Sequence, residues 1–236
     1  MAKTKNQPQQ ILTQSQVLSE LNRRYRSNVP QGITDVFNKL RNEYNNYRNT
    51  NDIDTLRYLL ALCLRTHHGC HMEWADTRKA VDILIQNNIL NCTFKDFEDL
   101  HKTLKSWFKD VHFARGPLTL YDTALNIGHL LLPPVEPVVY VYLYSGAWEG
   151  AVFLNKHQNL KHIMPVSDWH TPDLFPNLDS KTIEAILCVY KEIFEKLANG
   201  NPVTQADLDA VDNPCCPRPP RRFPSKNEVL KKMGYV

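Results

Sequence analysis

From Asp54 the chain runs TLRYLLALCLRTHH to Gly69, a natural helix stop, and as a helix this run would be apolar on nearly every side. A helix that faces water keeps a polar stripe; one without it has to be enclosed by other elements. The run therefore predicts a central helix with further helices around it. The neighbouring sequence supplies them. ITDVFNKLRNEYNNYRN places Ile33, Val36, Phe37, Leu40 and Tyr44 on one stripe, and MEWADTRKAVDILIQNN is amphipathic in the same way. FKDFEDLHKTLKSWFKD, with Thr93 as its expected cap, spaces Phe94, Phe97, Leu100, Leu104 and Phe108 by three and four. Short connections between these runs predict an antiparallel helical array.

Strand signals are few. PVVYVYLY alone combines β-branched and aromatic residues in a strand-length run, after Pro133, Pro134 and Pro137 have ended the preceding helix. Helices are expected again over AWEGAVFLN, begun by Ser145 or Gly146, and over KTIEAILCVYKEIFEKLANG, begun by Asp179 or Ser180 and closed by Gly200. A short one is expected around TQADLDAV. SKNEVLKKMG, with Ser225 and Glu228 in capping-box register and Gly234 as a stop, predicts a last helix. The expected fold class is mainly α: a single multi-helix domain with a helix-hairpin-helix-like corner and at most a minor β element. Residues 1–12 are expected to be a disordered arm, 13–212 the helical domain, and 213–236 a Pro-rich basic tail carrying the short terminal helix.

Charge is uneven along the chain. Residues 1–48 hold eight Lys/Arg against three Asp/Glu and residues 213–236 hold six against one, so a net charge of +3 leaves an acidic middle. Basic ends around an acidic body point to an anionic partner met by the termini, with a solvated face as the plainer reading. No apolar run reaches the roughly 18 residues of a membrane span. MAKTKNQPQQILTQSQ lacks the apolar core of a secretory signal, so a cytoplasmic protein is expected. The six cysteines, Cys63, Cys70, Cys92, Cys188, Cys215 and Cys216, are then expected to be reduced thiols.

The motif bearing most directly on function is RGPLTLYDTALNIGHLLL. Thr119 followed by Asp122 has the spacing of a helix cap and predicts a helix from about Leu120. A helix, a glycine turn and a new helix N-terminus with free N–H groups make a phosphate-binding arrangement. ARGPLTLYDTA resembles the hairpins of helix-hairpin-helix DNA-binding proteins, among them DNA glycosylases, and Gly116, Thr123 and Ala124 match that pattern. Leu118 stands where the hairpin has its second glycine. Pro117 removes a donor. In the glycosylases a catalytic aspartate follows the Thr-Ala pair by about sixteen residues, and here that position is Tyr140, so the resemblance implies DNA contact without that chemistry, with a tight structural corner between two packed helices as the plainer reading of the same residues. YDTALNIG, VYLYSGAWEGA and IEAILCVYKEIF in this order are also similar to an uncharacterised bacterial family with YDTAxRIG-like and VYLHAG-like motifs and a late LCIY. That resemblance implies a shared fold over residues 115–195 and a bacterial setting. Asn126 occupies the basic position of its first motif, and Tyr144 and Ser145 lie near its His-Ala.

Three readings of function follow. The first is a non-catalytic nucleic-acid-binding module, with DNA or RNA held by Arg115, Gly116 and Thr119 at the hairpin and by Arg23, Arg24, Arg26, Arg218, Arg221 and Arg222 in the basic arms. The second is an interaction or assembly component of a bacterial complex, docking a protein through the C-terminal tail. The third is a nucleic-acid-processing enzyme drawing on Asp122, His129, Glu136 or Glu149. No cofactor is expected. THHGCHMEW offers His67, His68, Cys70 and His71 as metal ligands, but structural zinc sites pair two spaced clusters and a second one is missing, so no metal is expected.

Overall fold

A computed structural model describes residues 10–27, 31–65, 72–154, 159–171, 173–211 and 223–236, and the side chains of 25–27 and 31–34 fall outside the description. The fold is mainly α, as the periodicity predicts, with eleven helices and two two-stranded sheets among the described residues. Backbone proximity gathers the chain into two compact units, a subdivision the sequence reading did not draw. One combines Val29–Val138 with Cys216–Val236; the other combines Met1–Asn28 with Val139–Cys215.

The first of these is all helical: α2 (Gln31–Thr50), α3 (Ile53–Arg65), α4 (Trp74–Gln86), α5 (Phe97–Trp107), α6 (Pro117–Leu130) and α11 (Lys226–Met233). Helix α3 is the enclosed helix that the sequence demands, with an unbroken buried run from Tyr58 through Leu64. It packs against α2, α4, α6 and α11. Each fully buried leucine there contributes roughly 1.5–3 kcal/mol. Asp52 caps α3, accepting from Asp54 N at 3.2 Å and Thr55 N at 3.1 Å, and it also binds Lys226 Nζ at 2.5 Å. The lysine, helped by Thr55, holds the Asp52 carboxyl far below the usual carboxylate range. The terminal helix is fastened further by Tyr58, whose hydroxyl donates to Pro224 O at 2.8 Å, and by the Tyr235 ring between the guanidiniums of Arg57 (4.1 Å) and Arg78 (4.7 Å). Ser225 caps α11 and Gly234, at φ 73°, stops it, as read from the sequence.

The other unit carries the strands. It holds α1 (Gln14–Ser27), α7 (Gly146–Leu154), α8 (Ser180–Val189), α9 (Lys191–Ala198) and α10 (Gln205–Ala210), with β1 (Ile11–Leu12), β2 (Tyr140–Tyr142), β3 (Ile163–Pro165) and β4 (Val203–Thr204). Ile11 and Leu12, assigned by sequence to the N-terminal arm, pair antiparallel with Thr204 and Val203. The expected strand is β2, which pairs antiparallel with β3. Its core gathers Val17, Leu18 and Leu21 of α1 with Val141, Ala147, Trp169, Phe175, Ile186, Leu187 and Phe194. Helix α7 lies against both α8 and α9. The single helix expected over residues 180–199 is broken at Tyr190 (φ −100°, ψ 19°), so that two shorter helices, α8 and α9, each pack on α7. Ser145, just ahead of α7, has φ 48°, a region that non-glycine residues seldom occupy, and its carbonyl accepts from Glu149 N at 3.1 Å.

Candidate nucleic-acid interface

Helix α5 begins one turn later than its sequence suggested. Asp96, not Thr93, is the N-cap, its side chain accepting from Asp99 N at 2.9 Å. A carboxylate there satisfies an orphan N–H and complements the positive helix end. From this start Phe97, Leu100 and Leu104 point into the core, and Phe108 continues their line. Lys102 and Lys105 of α5 are exposed, three residues apart, and Lys109, in the turn that follows the helix, is exposed as well.

Three turns carry the chain from α5 to α6. Val111 N donates to Phe108 O at 2.9 Å, Arg115 N to Val111 O at 3.2 Å and Gly116 N to Phe113 O at 3.1 Å. Val111 and Ala114 anchor this corner in the core, which turns His112, Phe113 and Arg115 outward. Helix α6 then starts at Pro117 with Gly116 as its N-cap, three residues before the start predicted from Thr119 and Asp122. The proline accounts for the correction: its fixed φ suits the first helical position, where its missing N–H costs nothing. Thr119 thus lies inside the first turn, buried, its carbonyl accepting from Thr123 Oγ1 at 2.7 Å. Its hydroxyl oxygen lies 4.0 Å from where a Cβ at Gly116 would stand.

The basic residues singled out from the sequence have different surroundings. Arg115 is exposed and enters no ion pair among the described residues, as do Lys102, Lys105 and Lys109. Arg23 and Arg24 both bind Glu20, and Arg24 also reaches Asp209 at 2.5 Å and Leu208 O at 3.0 Å. Those two arginines hold the Glu20 carboxyl down to about 2, Arg23 having the larger share. Arg24 acts as a tie between α1 and α10. The side chain of Arg26, and Arg218, Arg221, Arg222, His67, His68, Gly69, Cys70 and His71, lie outside the described residues. Among the described residues no group of three or more His, Cys, Asp or Glu side chains could hold a metal ion, and no helix is long and apolar enough to cross a membrane.

The carboxylates and histidine considered for catalysis have these surroundings. Asp122 is buried in α6, and His129 stacks on Phe37 with ring centroids 4.3 Å apart. Glu136 is exposed in the proline-rich segment, and Glu149 belongs to the other unit, ion-paired with Lys191 at 2.5 Å. The motifs YDTALNIG and VYLYSGAWEGA serve packing. Tyr121, Ala124 and Ile127 are core residues, and buried Asn126 donates through Nδ2 to Cys63 O at 2.9 Å, joining α6 to α3. A Cβ at Gly128 would overlap the Val135 carbonyl oxygen. Sequence reasoning missed Lys102, Lys105, Lys109 and Phe113: the sequence shows the cations but not whether a carboxylate distant in the chain pairs with them.

Between Lys102 and Arg115 four cations face one carboxylate, that of Asp110, and the half-buried Trp107 and exposed His112 and Phe113 stand among them. Such a surface can neutralise phosphates and lay an aromatic face against a base. Compared with protein-family models, with curated proteins and with solved structures, the chain matches none.

Proposed function

We propose that this protein is a non-catalytic nucleic-acid-binding module whose binding surface is the α5–α6 corner. The observation that carries the reading is the row Lys102, Lys105, Lys109 and Arg115: four exposed cations without ion-pair partners among the described residues. Exposed lysines are ordinary when interleaved with acidic residues. Here the row has only Asp110 among them. Arg115 keeps the role expected for it, whereas the pairing of Arg23 and Arg24 with Glu20 shifts the weight from the N-terminal arm to α5.

Each phosphate neutralised by a cation contributes about 0.7–0.9 to the slope of log affinity against log salt. Four cations therefore predict a slope of about 3 in magnitude and binding that weakens steeply between about 50 and 200 mM salt. Replacing Lys105 and Lys109 by Glu should lower that slope by about 1.5 and the affinity by more than tenfold, by fluorescence anisotropy with labelled oligonucleotides. Both side chains are exposed, so the fold is untouched. Binding that ignores salt, or a charge-reversed protein that binds as before, removes the proposal.

A further inference from the structure

Resting on that reading of the α5–α6 corner, we infer that its ligand is single-stranded nucleic acid, with an unstacked base against Phe113 and the flanking phosphates on Lys105, Lys109 and Arg115. Two independent features of the corner separate a single strand from a duplex.

The first is the aromatic character of the row. Phe113 is 38% exposed, and its ring lies 6.1 Å from that of His112 at an interplanar angle of 60°. An isolated exposed aromatic is unremarkable. This one sits four residues after Lys109 and two before Arg115, on a turn whose neighbours Val111 and Ala114 are fully packed. Along the chain the exposed ring stands between Lys109 and Arg115, on a turn anchored by buried neighbours. In a duplex the base faces are consumed by stacking, and an aromatic face beside a phosphate-binding row has nothing to stack on. Single-strand binders combine these two elements, a cationic track and aromatic platforms, because every base has a π-face.

The second feature is the start of α6. A hairpin gripping a duplex backbone uses the free N–H groups of a helix N-terminus. Here Gly116 N–H is already bonded to Phe113 O, and Pro117 has no N–H. Thr119, whose hydroxyl could have added a donor, is buried in the first turn. Two of the donors of a duplex-gripping hairpin are thereby lost, leaving the Leu118 and Thr119 N–H groups, while the side-chain cations remain. Helix rise sets Lys102 and Lys105 about 4.5 Å apart along α5, close enough for cations to engage successive phosphates of a flexible strand.

The test compares the full-length protein on a labelled oligo(dT) of about 15 nucleotides and on a duplex of the same length, at one salt concentration. The single strand should bind at least tenfold more tightly, an order-of-magnitude expectation from loss of the stacking contact. Phe113→Ala should lose about tenfold on the strand while keeping the wild-type salt slope, and Phe113→Trp should restore binding. Because Phe113 is exposed, circular dichroism of both variants should match wild type. A duplex bound as tightly as the strand, or a Phe113→Ala protein with unchanged strand affinity, overturns this inference and leaves the phosphate-binding reading standing. Absence of salt-dependent binding to both ligands overturns the two together.

Discussion

His101 sits one turn before Lys105 on α5, and its imidazole is turned into the protein beside Phe97. Burial first, and then the Lys105 ammonium, bring it down to about 4. In an unfolded chain it titrates at about 6.5. Between those two values the unfolded chain holds a proton that the folded chain lacks, so stability falls as pH is lowered from about 6.5 toward about 4, by on the order of 2 kcal/mol. Urea midpoints measured across that window should decline, and His101→Leu should flatten the decline. A variant with the same slope as wild type would assign the acid sensitivity to other groups. Asn126 shows a different side of single residues: placed by a motif where a basic residue was expected, it spends its amide on the Cys63 carbonyl. A polar residue in a signature can be structural when its position in the fold is a helix-to-helix contact, and sequence alone does not distinguish the two.

At the scale of elements, α7 shows how closely two helices can be brought together. Gly150 faces α8 where a Cβ would overlap the Leu187 carbonyl oxygen, and Gly146 faces Cys188 on the same helix. Gly150→Ala has to separate α7 from α8, and should destabilise this unit by about 1–3 kcal/mol or more. Chemical unfolding followed through Trp148 and Trp169 emission would detect it, and an unchanged midpoint would show that α7 can shift without loss. Elements marked by local chemistry were legible in the sequence: the enclosed α3, the Ser225 cap and Gly234 stop of α11, and the short helix α10, whose Thr204–Asp207 capping box went unread. Where two local signals competed, the reading went astray. The Thr119–Asp122 spacing and the Gly116–Pro117 pair both mark a helix start, and proline geometry wins. The break at Tyr190 has no breaker residue and follows from packing α8 and α9 on one partner. Of the candidate interface, Arg115 was legible from its glycine turn. The lysine row was not, because whether a surface cation is paired depends on distant chain, as Arg24 and Asp209 illustrate.

On the scale of the molecule, each unit is assembled from two separated stretches of chain. Helix α11 covers α3 and α4 with Val229, Leu230 and Met233, each buried. Their removal forfeits roughly 5–8 kcal/mol of apolar burial, comparable with the whole stability of a typical domain. A chain ending before residue 223 should therefore lose hydrogen-exchange protection across α3 and α4; amides there that exchange as slowly as in the full chain would demote α11 to an accessory. The tie between Lys226 and Asp52 has a further meaning for how the protein is made. A ribosome produces α3 long before α11, with some 160 residues of chain, 66–225, between them. The apolar flank of α3 that Val229, Leu230 and Met233 cover consequently stays open in the nascent chain until that later helix has emerged, so the core of this unit closes late.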